Sequence, residues 1–221
     1  MISIKYDPTK PHEMFNDLVS DRIQRQIAIA VVSQYKRAYR DCYENCEREE
    51  AHDLLPHLRR AYIEGVMPDL AERVEGYTTI TKKNKAENCW HRSILGDRIR
   101  LTQSKVEQRE ILPRNAEFRK GYARSNQMFF DFMNENEVSE IDSEEPLYAI
   151  IAHMPAENDK GAPEFVDILF PDKDYKEIVG RIKLLDKFPG TIPETIQEEA
   201  IPEKAEIKLE GSVTKIDRKT S

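Results

Sequence analysis

The sequence predicts an α+β fold, a helical hairpin packed on a mostly antiparallel sheet of about five strands. Three observations carry that expectation. Apolar residues recur at helical spacing through the first third of the chain, the period shortens after Gly76, and Gly96-Asp97 separates two strand-like runs.

The helical part is expected over residues 1–75. Phe15, Val19, Ile23, Ile27, Val31, Tyr35, Tyr39, Cys42 and Cys46 recur every three or four positions, so they share one face of a helix over 12–49. Thr9 before Pro11 supplies a start signal. Ile29 and Val32 widen the apolar face, which predicts burial of the helix centre on more than one side. Leu54, Leu55, Leu58, Tyr62, Val66, Leu70 and Val74 mark a second helix, with Asp53 as its cap and Pro56 in its first turn. Gly65 and Pro68 are expected to kink or split it, and residues 47–51 to join the two helices.

The sheet part is expected over 76–188. Residues 77–81 are β-rich and 82–88 read as a loop. Residues 89–95 and 98–106 form strands around Gly96-Asp97, with Ile99 and Leu101 alternating against Arg98 and Arg100. A helix is predicted over 116–134, an acidic linker over 135–145, and strands over 147–153 and 164–170 joined by a polar loop. Pro171-Asp172 then opens a predicted helix with Tyr175, Ile178, Ile182 and Leu185 on one face. Residues 1–188 are read as one domain. Residues 189–221 form a flexible acidic tail, with 205–209 as a candidate added strand.

Composition narrows the function classes. Hydrophobic residues make up 39% and charged residues 34%, which suggests one ordinary core plus polar material outside it. No apolar run approaches the roughly 18 residues of a membrane span, so no membrane partner is expected. Three cysteines give no disulfide framework, and the N-terminus does not read as a secretory signal; a cytoplasmic protein is expected. The net charge of −7 is uneven: residues 81–124 hold 12 Lys/Arg against 5 Asp/Glu, whereas 125–221 hold 11 against 22. That basic middle could meet a polyanion or pair with the acidic part of the same chain.

Candidate chemistry is sparse. Cys42, Cys46, His52 and His57 superficially resemble a zinc set, but both cysteines continue the apolar stripe and read as core residues. Cys89, His91 and His153 lack a fourth ligand, so no metal site is assigned. For nucleic acid, Lys82, Lys83, Lys85, Arg92, Arg98, Arg100, Lys105, Arg119, Lys120 and Arg124 form the basic segment. Trp90, Phe118 and Tyr122 lie among them as aromatics able to stack on bases, although Phe118 and Tyr122 read more economically as helix-to-sheet contacts.

The element order from the second helix onward is helix, three strands, helix, strand, and Gln103-Ser104-Lys105 ends the third strand. This resembles the PD-(D/E)xK nuclease superfamily. The resemblance covers about 80 residues and implies Mg²⁺ held by an upstream acid and the third strand, with lysine orienting the attacking water. Here that assigns Asp97, with Glu87 as the other nearby upstream acid, together with Gln103 and Lys105, although Asp97 lies closer to Gln103 than the family pattern has it and Gln103 stands where an acid is usual.

The leading expectation is a non-catalytic binding or regulatory protein, without cofactor, acting through a protein or nucleic-acid partner. The alternatives are the Mg²⁺-dependent nuclease and a subunit or oligomer of a larger assembly. The last rests on the apolar stretch 27–32 and on Phe129-Phe130-Asp131-Phe132.

Overall fold

A computed structural model describes residues 11–83, 90–126, 146–158 and 161–191. Its helices are α1 (Pro11–Leu18), α2 (Asp21–Asn45), α3 (Arg48–Glu72), α4 (Glu117–Ala123) and α5 (Leu184–Lys187). Its strands are β1 (Thr78–Lys83), β2 (Trp90–Leu95), β3 (Ile99–Lys105), β4 (Leu147–Pro155), β5 (Pro163–Pro171) and β6 (Ile178–Lys183). The strands form one sheet in chain order, and the fold is α+β as the sequence predicts. All neighbours are antiparallel except β3 and β4, which run parallel in the register Ile99↔Leu147 to Lys105↔His153. A parallel pair needs a crossover, and α4 lies within it.

Side chains alternate between two layers. Ile94, Ile99, Leu101, Leu147, Ala149, Ile151, Val166, Ile168 and Phe170 face α1, α2 and α3 and pack with Phe15, Ile27, Val31, Tyr35, Ile63 and Met67. Tyr148, Ile150, Ala152, Phe165 and Leu169 point to the opposite face and pack with Ala123 and Tyr175. Because β4 and β5 are covered on both sides, nearly every position in them is buried.

Several boundaries differ from the sequence reading. The first helical pattern breaks after Leu18, and α2 begins at Asp21. The apolar stripe passes through Val19 without Gly or Pro, so periodicity carries no sign of the break. Val32 is buried but Ile29 is exposed, so only part of the widened face is covered. α3 starts at Arg48, which places Asp53 and Pro56 inside it; neither Gly65 nor Pro68 interrupts it. Thr9 and the cluster Phe129-Phe130-Asp131-Phe132 lie outside the described residues, as do 205–209 and most of the linker and tail. Of the helix expected over 116–134, Glu117–Ala123 and a 3-10 turn at Arg124–Asn126 are described.

The predicted helix after Pro171 is instead a loop, strand β6 and short α5. A spacing of four between Ile178 and Ile182 fits a helix face, whereas in β6 a register shift at Phe170/Pro171 sends the two to opposite layers. Three features favour the strand. Ile178 and Val179 are β-branched, β5 supplies an edge to pair with, and a Cβ at Gly180 would lie 2.6 Å from Pro11 Cγ. Among the described residues the sheet therefore has six strands, β6 joining the five or so expected.

One ion pair fixes the far side of the sheet. Asp167 on β5 is fully buried, and Arg109 donates to both its oxygens at 2.9 and 3.0 Å. Arg181 on β6 approaches the same carboxylate at 3.7 Å. Removing one partner of such a pair strands a buried charge. Arg109→Ala is expected to lower stability by about 3 kcal/mol in chemical denaturation; an unchanged midpoint would remove this pair from the account.

Candidate functional site

The most polar part of the interior lies where β3 and β4 end. Gln103 on β3 and His153 on β4 face the helices, and both are buried. His153 Nε2 stands 3.0 Å from Gln103 Oε1, and His153 Nδ1 stands 2.8 Å from the Tyr35 hydroxyl of α2. The Gln103 amide Nε2 donates to Glu64 Oε1 of α3 at 2.7 Å, while the Arg92 backbone N–H donates to Glu64 Oε2 at 2.9 Å. With Gln103 presenting its carbonyl to His153, the imidazole carries its proton on Nε2. Donation then runs one way, from Tyr35 through His153 and Gln103 to the Glu64 carboxylate.

Burial shifts His153 and Glu64 in this chain. It holds His153 neutral, with its pKa lowered to about 3, and the Arg59 and Lys105 charges act in the same direction. It also raises the Glu64 pKa, against the hydrogen bonds from Gln103 and Arg92. Arg59 lies over the Tyr35 ring at 4.7 Å.

Outside this chain, the same end of the sheet is cationic and aromatic. Lys83 and Trp90 are register partners at the end of β1 and the start of β2. Trp90 is 58% exposed, with Lys83 Nζ 5.1 Å from its ring centroid and Arg60 of α3 donating to its carbonyl at 3.2 Å. Lys82 pairs in register with His91, which stacks on Phe118 of α4 at 4.0 Å. Burial, then the Arg119, Lys82 and Arg60 charges, lowers the His91 pKa. Arg119 donates to Ser104 Oγ at 2.9 Å, and Lys105 is exposed at the end of β3.

The ten basic residues singled out from sequence therefore separate. Lys82, Lys83, Lys105 and Arg119 gather at this end. Arg92 is drawn inward, its guanidinium donating to the Glu64 carbonyl at 2.7 Å. Arg98 and Arg100 lie towards the other end of β3, where the Arg100 guanidinium sits 4.0 Å over Tyr122. Lys120 and Arg124 line a separate hollow with Lys173, Asp174 and Lys176. Lys85 lies outside the described residues. Phe118 and Tyr122 pack on His91 and Tyr148, leaving Trp90 as the aromatic that faces solvent.

The order α3, β1–β3, α4, β4 matches the element order on which the nuclease resemblance rests. The proposed metal residues are not brought together. Asp97 occupies the turn before β3, six residues from Gln103, which is roughly 20 Å along a strand. The Gln103 amide is bonded at both ends, and each Glu64 oxygen accepts a hydrogen bond. These residues do not fit a shared Mg²⁺. Among the described residues, no group of three or more His, Cys, Asp and Glu could hold a metal ion. Cys42 is buried, with its thiol donating to the Ala51 carbonyl at 3.3 Å, while His52 and His57 are exposed; Glu87 and Cys89 lie outside the described residues.

Sequence reasoning missed Arg60 and Glu64. They lie off the apolar stripe of α3, where charges normally mark a solvated face. No family model, no curated protein and no solved structure matches this chain.

The buried chain makes stability depend on pH. Between about pH 3 and 6.5 the unfolded chain binds a proton at its histidine that folded His153 refuses, so stability falls as pH falls through that window. Its contribution is about 1.4 kcal/mol per pH unit. Glu64 acts oppositely: its raised pKa lets the folded state bind a proton first, which offsets part of the loss. Glu64→Gln is therefore expected to steepen the loss of stability from pH 6.5 towards pH 4.5, measured by urea titration at several pH values. An unchanged or shallower slope would refute this coupling.

Proposed function

We propose that the protein is a non-catalytic binding protein for single-stranded nucleic acid. In this reading a base stacks on Trp90 while Lys83, Lys105 and Arg60 beside it, and Lys82 and Arg119 on the opposite face of the same sheet end, hold the neighbouring phosphates. The observation that carries it is an indole more than half exposed at the start of β2, with Lys83 over its ring and Arg60 on its carbonyl.

Two partner classes use an exposed tryptophan, proteins and nucleic acids, and the surroundings favour the second. Lysine is depleted in protein–protein interfaces, whereas a phosphate backbone draws most of its binding energy from Lys and Arg. The chain's net charge of −7 opposes this only weakly, because surface fields fade within about 8–10 Å at physiological salt. A base must leave its stack to lie on an indole, which favours single strands and predicts little sequence preference. No chemical step is assigned, since the side chains nearest this surface are committed to hydrogen bonds with each other.

Fluorescence anisotropy of labelled single-stranded DNA and RNA, with and without Mg²⁺, tests the proposal. Affinity should fall with a log–log salt slope of roughly −2 to −3, as expected if three or four phosphates are neutralised. Trp90→Ala should weaken binding by about 5- to 100-fold while leaving that slope unchanged, because it removes a stack and no charge. Lys82→Glu with Lys83→Glu should flatten the slope. Equal affinity in Trp90→Ala would overturn the reading. Strand cleavage with Mg²⁺ that is lost in Lys105→Ala would replace it with the nuclease.

A further inference from the structure

A second cationic feature stands apart from Trp90, on the α4 side of the sheet. A hollow of about 330 Å³ lies between the end of α4 and the loop from β5 to β6, lined by Lys120, Arg124, Lys173, Asp174 and Lys176. Four of these five side chains are cations. Lys120 and Arg124 are one helical turn apart, so they project from the same side of α4 and its 3-10 extension. Among the described residues neither has an ion-pair partner. Asp174, the one carboxylate among the described lining residues, is half-exposed and lies 3.3 Å from Lys176 Nζ.

The loop that supplies the other cations is held in shape. Asp172 Oδ1 accepts the backbone N–H groups of Lys176 and, at 2.8 Å, Glu177, and the Asp172 N–H donates to the Glu177 carbonyl at 2.9 Å. Tyr175 adopts a left-handed backbone with φ 59°, uncommon for a residue with a side chain. Its ring is buried in the layer of the core that packs with Ala123 of α4, and its hydroxyl donates to the Pro113 carbonyl at 3.1 Å. Lys173 and Lys176 flank this anchor on either side. They are thus presented beside α4 by a folded loop, which reduces the ordering a ligand must otherwise impose.

Pockets for organic molecules are mainly apolar, with a few polar groups that orient the ligand. This hollow reverses that composition: among the described residues its lining side chains are all charged and mostly cationic, which suits it to negative charge. A compact, multiply charged oxyanion gains from several ammonium and guanidinium donors at once and relieves their mutual repulsion.

We propose that this hollow is a phosphate-binding site for a phosphomonoester or diphosphate group, held by Lys120, Arg124, Lys173 and Lys176. It is independent of the Trp90 surface. The phosphate could belong to a free small molecule or to the phosphorylated end of a nucleic acid.

The test uses the full chain in two arms. In the first, pyrophosphate is titrated against the uniformly ¹⁵N-labelled protein. Amide signals of residues 120–124 and 172–177 should move together with saturation. The affinity should drop about tenfold or more in Lys173→Gln/Lys176→Gln and stay unchanged in Trp90→Ala. Both lysines lie in a surface loop, and the spectrum itself reports whether the double variant is folded. No movement of these signals, or equal affinity in the double variant, overturns the site. In the second arm, a 5′-phosphorylated oligonucleotide is compared with its 5′-hydroxyl counterpart. A preference for the phosphorylated end that disappears in the double variant identifies a nucleic-acid end as the source. Pyrophosphate binding without that preference supports the site and assigns it to a free phosphorylated molecule. The pyrophosphate arm decides the site even if no oligonucleotide binds at Trp90.

Discussion

The side chain of Gln103 joins more of this molecule than any single apolar contact does. Through one amide it bonds His153 on the parallel neighbour β4 and Glu64 on α3; His153 extends the chain to Tyr35 on α2, and Glu64 to the backbone of β2. Five elements are held in one relative position by four hydrogen bonds. Apolar packing alone is tolerant of small slides, because methyl and methylene contacts exchange with little penalty. Buried donors and acceptors are not tolerant, since a displaced partner leaves an unsatisfied group that costs about 1–3 kcal/mol. The helices are thereby fixed on the sheet at the end where β2 begins and β3 and β4 finish.

That placement organises the surface. α3 is tied to β2 through Glu64, and this brings Arg60, one turn before Glu64, against the carbonyl of Trp90. The register Lys83↔Trp90 lays a lysine over the exposed indole, and Lys105 emerges two residues beyond Gln103. A cationic, aromatic surface at one end is thus a consequence of how the interior is bonded. On the other face, Asp167 with Arg109 and Arg181 ties β5 and β6 to the segment before α4, and Tyr175 fixes the loop that carries Lys173 and Lys176.

Much of the fold was legible because period and turn chemistry are local. Phe15 to Cys42 marked the inward face of the first helices, and the Gly96 region marked the β2–β3 hairpin. β6 was not legible, because Tyr175, Ile178, Ile182 and Leu185 fit a helix period, while in the strand a register shift puts Ile178 and Ile182 in opposite layers; the choice is made by β5 and by Pro11 against Gly180. The site was legible in its residue types and not in its arrangement. Trp90 and most of the surrounding cations could be named from sequence. Their separation from Arg98, Arg100, Lys120 and Arg124 depends on which end of the sheet each residue reaches. Glu64 and Arg60 looked like ordinary helix surface, and Lys173 and Lys176 were obscured by the mistaken helix.

Trp90 is the only tryptophan in the chain, so its own fluorescence reports directly on the central claim. Titration of the unlabelled protein with an oligothymidylate at low salt, followed by addition of salt, requires no variant and no probe. The account predicts saturable quenching of the indole emission that reverses as salt displaces the strand, because a stacked base and the phosphate contacts are released together. Emission that stays constant while an independent measurement shows the oligonucleotide bound would contradict it, since binding would then occur away from Trp90.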